Sequence, residues 1–130
     1  MKKLLFFVFL ITFFCKVHAQ TSSYQANQYA FPYESIEVKP EFEGGYIGFV
    51  KYIGANFRLP DVESMSGAVK VSFVIDNTGQ VVNIKVISDL GEGTGEEAIR
   101  VLKTCPLWKP GMQDGKTVPV AMKMPINIKI

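Results

Sequence analysis

The amino-acid sequence predicts an α+β fold in two layers: a three-stranded antiparallel sheet, in the order second–first–third, with helices packed on it. Two alternating apolar runs joined by a glycine turn are followed by a helix-patterned run and then by a last alternating run, which gives a β-β-α-β core. A short helix precedes that core. Because a helix links the second strand to the third, those two run parallel if they share a sheet, and antiparallel neighbours throughout require the first strand between them. The third strand then lies at an edge.

Positions 1–19 have the pattern of a cleavable secretion signal. Lys2 and Lys3 supply the positive start, Leu4 to Phe14 is a run of eleven residues with only Thr12 polar, and Val17-His18-Ala19 offers a cleavage site before Gln20. A retained membrane anchor is the rival reading, but a bilayer span takes roughly 20 apolar residues and Lys16 ends this run sooner. A lipid-modified Cys15 is a third; it follows Phe13-Phe14, where a lipoprotein signal has small residues.

Cleavage removes Lys2, Lys3 and Lys16 from the fourteen basic residues, leaving eleven against twelve acidic ones, a net of about −1. Such a near-neutral chain without a basic stripe gives no electrostatic case for nucleic acid or anionic lipid. His18 and Cys15 leave as well, so Cys105 is the remaining cysteine and no intrachain disulfide can form. The core must hold the fold alone.

Residues 20–39 are rich in Gln, Ser, Asn, Tyr and Ala without a clear period, Pro32 interrupts them, and they read as a flexible tether. The domain proper runs over 40–130. Pro40-Glu41-Phe42-Glu43-Gly44-Gly45 is its opening turn, with Gly44 and Gly45 as structural residues. Tyr46, Phe49, Val50, Ile53 and Phe57 then recur at helical spacing in a short helix that ends near Gly54 to Asn56. In Phe57-Arg58-Leu59-Pro60, Pro60 pushes Leu59 toward an extended conformation.

Gly67 to Ile75 alternates strictly, with Val69, Val71, Phe73 and Ile75 on one face and Lys70 and Ser72 on the other. Asp76-Asn77-Thr78-Gly79 turns the chain, Gly79 supplying positive φ. The second strand, about Gln80 to Ser88, puts Val82, Ile84 and Val86 inward and Asn83 and Lys85 outward. Thr94 and Glu97 have the spacing of a capping box for a helix over Gly95 to Lys103. Its apolar stripe is Ala98, Val101, Leu102 and Cys105, while Arg100 and Lys103 face water.

Pro106 stops that helix, and Trp108-Lys109-Pro110-Gly111 turns the chain back toward the sheet, with Trp108, Pro110 and Gly111 as structural residues. Trp108 reads as a core plug, with an exposed contact residue as the alternative. The third strand spans Val118 to Ile130, its even-numbered residues on one face and Lys123, Asn127 and Lys129 on the other. Pro125 has no N–H to give, which suits an edge strand and not a central one.

Catalytic chemistry finds little support. A cysteine nucleophile needs an activating base, and the mature chain has no histidine. The pairs Glu41/Glu43 and Glu96/Glu97 sit in a turn and in a helix's first turn, where acids are ordinary surface and dipole partners. Asp76, Asn77 and Thr78 lack the further ligands of a calcium loop. Gly91, Gly93 and Gly95 lack the lysine of a phosphate loop. No cofactor, metal site or catalytic residue is expected.

From Pro40 to Ile130 the chain resembles the C-terminal domain of TonB, the periplasmic energy transducer, especially its Bacteroidetes-type stand-alone forms. The resemblance rests on ordered motifs: Pro40 to Gly45, Phe57-Arg58-Leu59-Pro60, Gly67 to Asp76 with Gly79, Glu97-Ala98-Ile99-Arg100, Pro106 to Gly111, Gly115-Lys116-Thr117-Val118 and Met124-Pro125-Ile126. It implies a periplasmic protein that binds an extended segment of a TonB-dependent outer-membrane receptor, added as a strand beside the last strand, in energy-coupled transport. Carried onto this sequence, the partner-binding residues are Arg58, Pro60, Val118, Val120, Ala121, Met122, Lys123, Met124 and Ile126. The short tether and cleavable signal depart from the membrane helix and long proline-rich arm of the family's transducers. A periplasmic adaptor without transduction, or a homodimer paired edge to edge, is therefore the alternative; a retained signal would leave the chain anchored in the inner membrane.

Overall fold

The structure is a computed structural model that describes residues 29–130, so the signal sequence and the first part of the tether lie outside the described residues. In chain order the elements are β1 (Phe31–Pro32), α1 (Gly45–Asn56), β2 (Ser66–Ile75), β3 (Val81–Ser88), α2 (Thr94–Lys103), β4 (Gly111–Gln113), β5 (Lys116–Val118) and β6 (Val120–Lys129). The main sheet runs β1-β6-β2-β3, and β4 with β5 forms a separate two-stranded ribbon.

The α+β class and the β3-β2-β6 order agree with the sequence pattern, whereas the expectation of three antiparallel strands needs correction. A fourth strand, β1, lies parallel to β6 with Phe31 beside Val120 and Pro32 beside Ala121, which makes the sheet mixed. Two residues carry no readable period, and β1 exists because the Phe31 N–H reaches the carbonyl of Pro119 at 2.9 Å. The later part of the segment read as tether thus packs on the domain. Ile36 is buried in the core, and Val38 exchanges both backbone hydrogen bonds with Met112.

β2 and β6 pair from Ser66–Lys129 through Ile75–Val120 without a break. Between β2 and β3 the register slips at Lys70/Val71 and again between Ser72 and Val74. Asn83, with φ of 52°, is the residue whose left-handed backbone accommodates the second slip. It reverses the side-chain phase, so Val81, Ile84 and Val86 pack against the core while Val82 pairs with Val74 on the opposite face. The inward placement expected for Val82 is corrected accordingly.

The core lies between the sheet and the two helices. Val69, Val71, Phe73 and Ile75 of β2 meet Val120, Met122, Ile126 and Ile128 of β6, Phe49 and Ile53 of α1, and Ala98, Val101 and Leu102 of α2. Trp108 fills its centre at 5 % exposure. Its ring lies 5.4 Å from Phe42, 5.3 Å from Phe49 and 6.1 Å from Phe73 in inclined geometries, which suits the quadrupoles of the rings.

The capping box expected at the start of α2 does not form. Gly93 is the N-cap, the Thr94 hydroxyl donates to the Gly91 carbonyl at 2.7 Å, and Glu97 turns to Arg100 and to the backbone N–H of Arg58. Arg100 also donates to the Asn56 carbonyl at 2.7 Å. It therefore ties the end of α1 to α2 instead of facing only water.

The third strand expected over Val118 to Ile130 is split. Pro119 interrupts it, and Val118 belongs to β5, paired with Gly111 of β4. Asp114 and Gly115 join that ribbon with φ of 51° and 73°, as the commonest two-residue hairpin turn requires.

Candidate functional site

Which edge of β6 is free follows from one pair of hydrogen bonds. Met65 and Ile130 donate to each other's carbonyls, and in an antiparallel ladder such doubly bonded pairs recur at every second residue. The even-numbered residues of β6 therefore turn their amides toward β2. The odd-numbered ones, Ala121 to Lys129, turn theirs to the opposite flank. The Pro119 carbonyl, odd-numbered as well, is indeed the acceptor for Phe31 on that flank.

β1 covers the outer flank only at its start, through the register Phe31–Val120 and Pro32–Ala121. From Lys123 to Lys129 no backbone partner is present among the described residues. Pro125 falls on the outward phase, opposite Lys70 in a pair that needs no N–H toward β2. Its missing donor costs the sheet nothing, and the free flank offers carbonyls at Lys123, Pro125, Asn127 and Lys129 but amide donors at three of these.

The helix α1 overhangs this flank. Phe49 and Ile53 point into the core, but Tyr46, Ile47 and Val50 are 67 %, 68 % and 49 % exposed. An apolar groove of about 330 Å³ separates Tyr46, Val50 and Ile53 from Pro125, Ile126 and Asn127. A second, of about 280 Å³, continues between Tyr46, Lys39 and Tyr33 on one side and Met122 and Met124 on the other. Free backbone groups and an apolar floor thus run side by side.

The residues expected to bind a partner divide on this map. Lys123, Met124 and Ile126 lie along the free part of β6. Val120 and Ala121 sit where β1 already pairs, and Met122 is buried at the start of the groove. Val118 is in the ribbon. Arg58 is exposed beside α2, its N–H 3.0 Å from a Glu97 carboxylate oxygen, and Pro60 lies in the same loop; neither lines the grooves along β6. Tyr46, Ile47 and Val50 were missed as site residues, although apolar residues at neighbouring helical positions around Phe49 are more than one buried stripe needs.

The groups considered for chemistry are engaged elsewhere. Asp76 Oδ1 accepts from the N–H groups of Thr78 and Gln80 and from the Thr78 hydroxyl. Burial pushes the Cys105 thiol above its ordinary pKa, so it stays protonated near neutrality, and the Trp108 indole donates to its sulfur at 3.4 Å. Among the described residues no cluster of three His, Cys, Asp or Glu is placed to hold a metal, and no helix is long and apolar enough to cross a membrane.

A small α+β domain with an unpaired strand flank and an apolar floor beside it belongs among interaction domains. The family model for the C-terminal domain of Gram-negative bacterial TonB protein matches residues 62–130, and the chain belongs to that family. The family is a non-catalytic domain of the Gram-negative envelope that serves receptor-coupled transport. No curated protein and no solved structure matches the chain.

Proposed function

We propose that the domain, exported to the periplasm by a cleaved signal over 1–19, captures an extended segment of a TonB-dependent outer-membrane receptor by strand addition on β6, in energy-coupled transport. The observation that supports this is the outward amide row from Lys123 to Lys129 beside the groove under Tyr46 and Val50. A guest strand satisfies the row, and its inward side chains cover the apolar floor, where each Å² removed from water contributes about 25 cal/mol. Backbone bonds supply affinity and the floor supplies selection. Titration with peptides from receptor N-terminal segments tests it. Saturable binding that is lost when alternate peptide amides are N-methylated is the expected result; absence of binding, or indifference to methylation, removes the idea.

A second reading, a homodimer joined flank to flank without transduction, draws on the same exposed Tyr46, Ile47 and Val50. Light scattering on the purified protein separates the two by mass.

A further inference from the structure

Strands β2, β3 and β6 carry four charged residues, Lys70, Lys85, Lys123 and Lys129; all are lysines, and all are exposed. Register places them on one face: Ser72 lies between Lys85 and Lys123, Lys70 is opposite Pro125, and Lys129 is opposite Ser66. None forms an ion pair with an acid among the described residues. A chain of near-neutral balance therefore has one sheet face whose strand charges are all positive, with Glu34 the acid that lines its cleft, and the sequence reading, which found no basic stripe, missed it because the four lysines are spread over sixty residues of chain. Two of them, Lys123 and Lys129, stand on the free flank itself.

Resting on the strand-addition reading, we propose that the guest is an anionic extended segment whose side chains alternate: apolar residues facing the α1 groove and carboxylates on the outer face, six positions apart, beside Lys123 and Lys129. In a sheet, side chains directly across from each other lie about 4.5–5.5 Å apart at Cβ, and opposite charges there attract while like charges repel. A guest carboxylate next to Lys123 also feels Lys70 and Lys85 behind it. A basic guest meets four lysines on that face against one acid, Glu34, which lines the cleft shared with Lys85 and Lys123. The free flank, with its ladder groups, selects an extended peptide over a lipid headgroup, which has no strand to offer.

Three synthetic heptapeptides decide this: Glu-Val-Thr-Val-Thr-Val-Glu, its Gln-for-Glu counterpart and its Lys-for-Glu counterpart, each titrated against the purified protein at low and high salt. The Glu peptide is expected to bind roughly tenfold tighter than the Gln peptide at low salt, for two exposed pairs, with the Lys peptide weakest. The preference is expected to shrink toward unity in 1 M salt and in the double variant Lys123→Gln/Lys129→Gln, whose backbone flank is unchanged. Equal binding of all three peptides overturns the charge assignment and leaves strand addition standing. Binding of none, with the fold intact by circular dichroism, overturns both. Binding of anionic phosphatidylglycerol vesicles in place of the peptides overturns it in favour of a membrane surface.

Discussion

Gly79 and Trp108 lock the hairpin to the core: the Trp108 N–H donates to the Gly79 carbonyl at 2.8 Å, and the Trp108 carbonyl oxygen occupies the place where a Gly79 side chain would begin. The turn between β2 and β3 and the stop after α2 are thereby one joint.

Gly79→Ala is expected to be among the most damaging single changes. Its φ of 93° is closed to most side chains, at a cost of about 1–2 kcal/mol, and the new methyl overlaps the Trp108 carbonyl. A total loss of roughly 3 kcal/mol is expected from urea unfolding. A loss under about 1 kcal/mol would mean that the joint yields.

Asn83→Gly is expected to act in the opposite direction. Asn83 holds φ of 52°, and its side-chain nitrogen is buried with no hydrogen-bond partner among the described residues. Deleting the orphan amide removes a desolvation penalty of about 1–3 kcal/mol, of which the added chain freedom of glycine takes back roughly 0.5–1. Thermal unfolding should rise by a few degrees.

Glu97 gives stability a definite pH dependence. The hydrogen bond from Arg100 holds its carboxyl below the usual value of 4.5, with the Arg58 N–H acting in the same sense against burial. A carboxylate whose folded pKa is depressed stabilises the fold above its unfolded pKa and loses that contribution as pH falls through the folded one. Wild type should therefore be more stable than a Glu97→Gln variant near neutrality, and the two curves should converge as pH drops below about 4.5. Parallel curves from pH 7 to 3 would exclude the pair as the cause.

Proline substitution should separate the two flanks of β6. Asn127→Pro removes an outward donor, spares both lysines of the flank and leaves the ladder to β2 intact, so the fold should survive while receptor-peptide affinity falls roughly fivefold to tenfold, the worth of one hydrogen bond. Met122→Pro deletes an N–H directed at β2, opposite Phe73, and should unfold the domain or cost about 3 kcal/mol. Calorimetry and circular dichroism on the pair read both outcomes, and equal destabilisation would mean that the phase of β6 is reversed.

Periodicity made α1, α2, β2, β6 and most of β3 legible, because each buries one face along eight or more residues. Pro125 pointed to the edge, and the structure adds that its missing donor lies on the outward phase. What escaped depends on contacts distant in sequence: β1 is two residues held by Pro119, the phase reversal in β3 follows from one backbone angle at Asn83, and Glu97 leaves its capping position because Arg100 and the Arg58 amide compete for it. The ribbon at Asp114-Gly115 did carry a readable turn signal. The lysine face was illegible for the same reason as β1, since no window along the chain contains it.

Because Phe31 and Pro32 already occupy the flank beside Val120 and Ala121, β6 works as a ruler with a fixed end stop. Seven residues, Lys123 to Lys129, remain free, a footprint of about 23 Å at the rise of a strand. A visitor that pairs past Lys123 toward Val120 must peel the host's own N-terminal segment away.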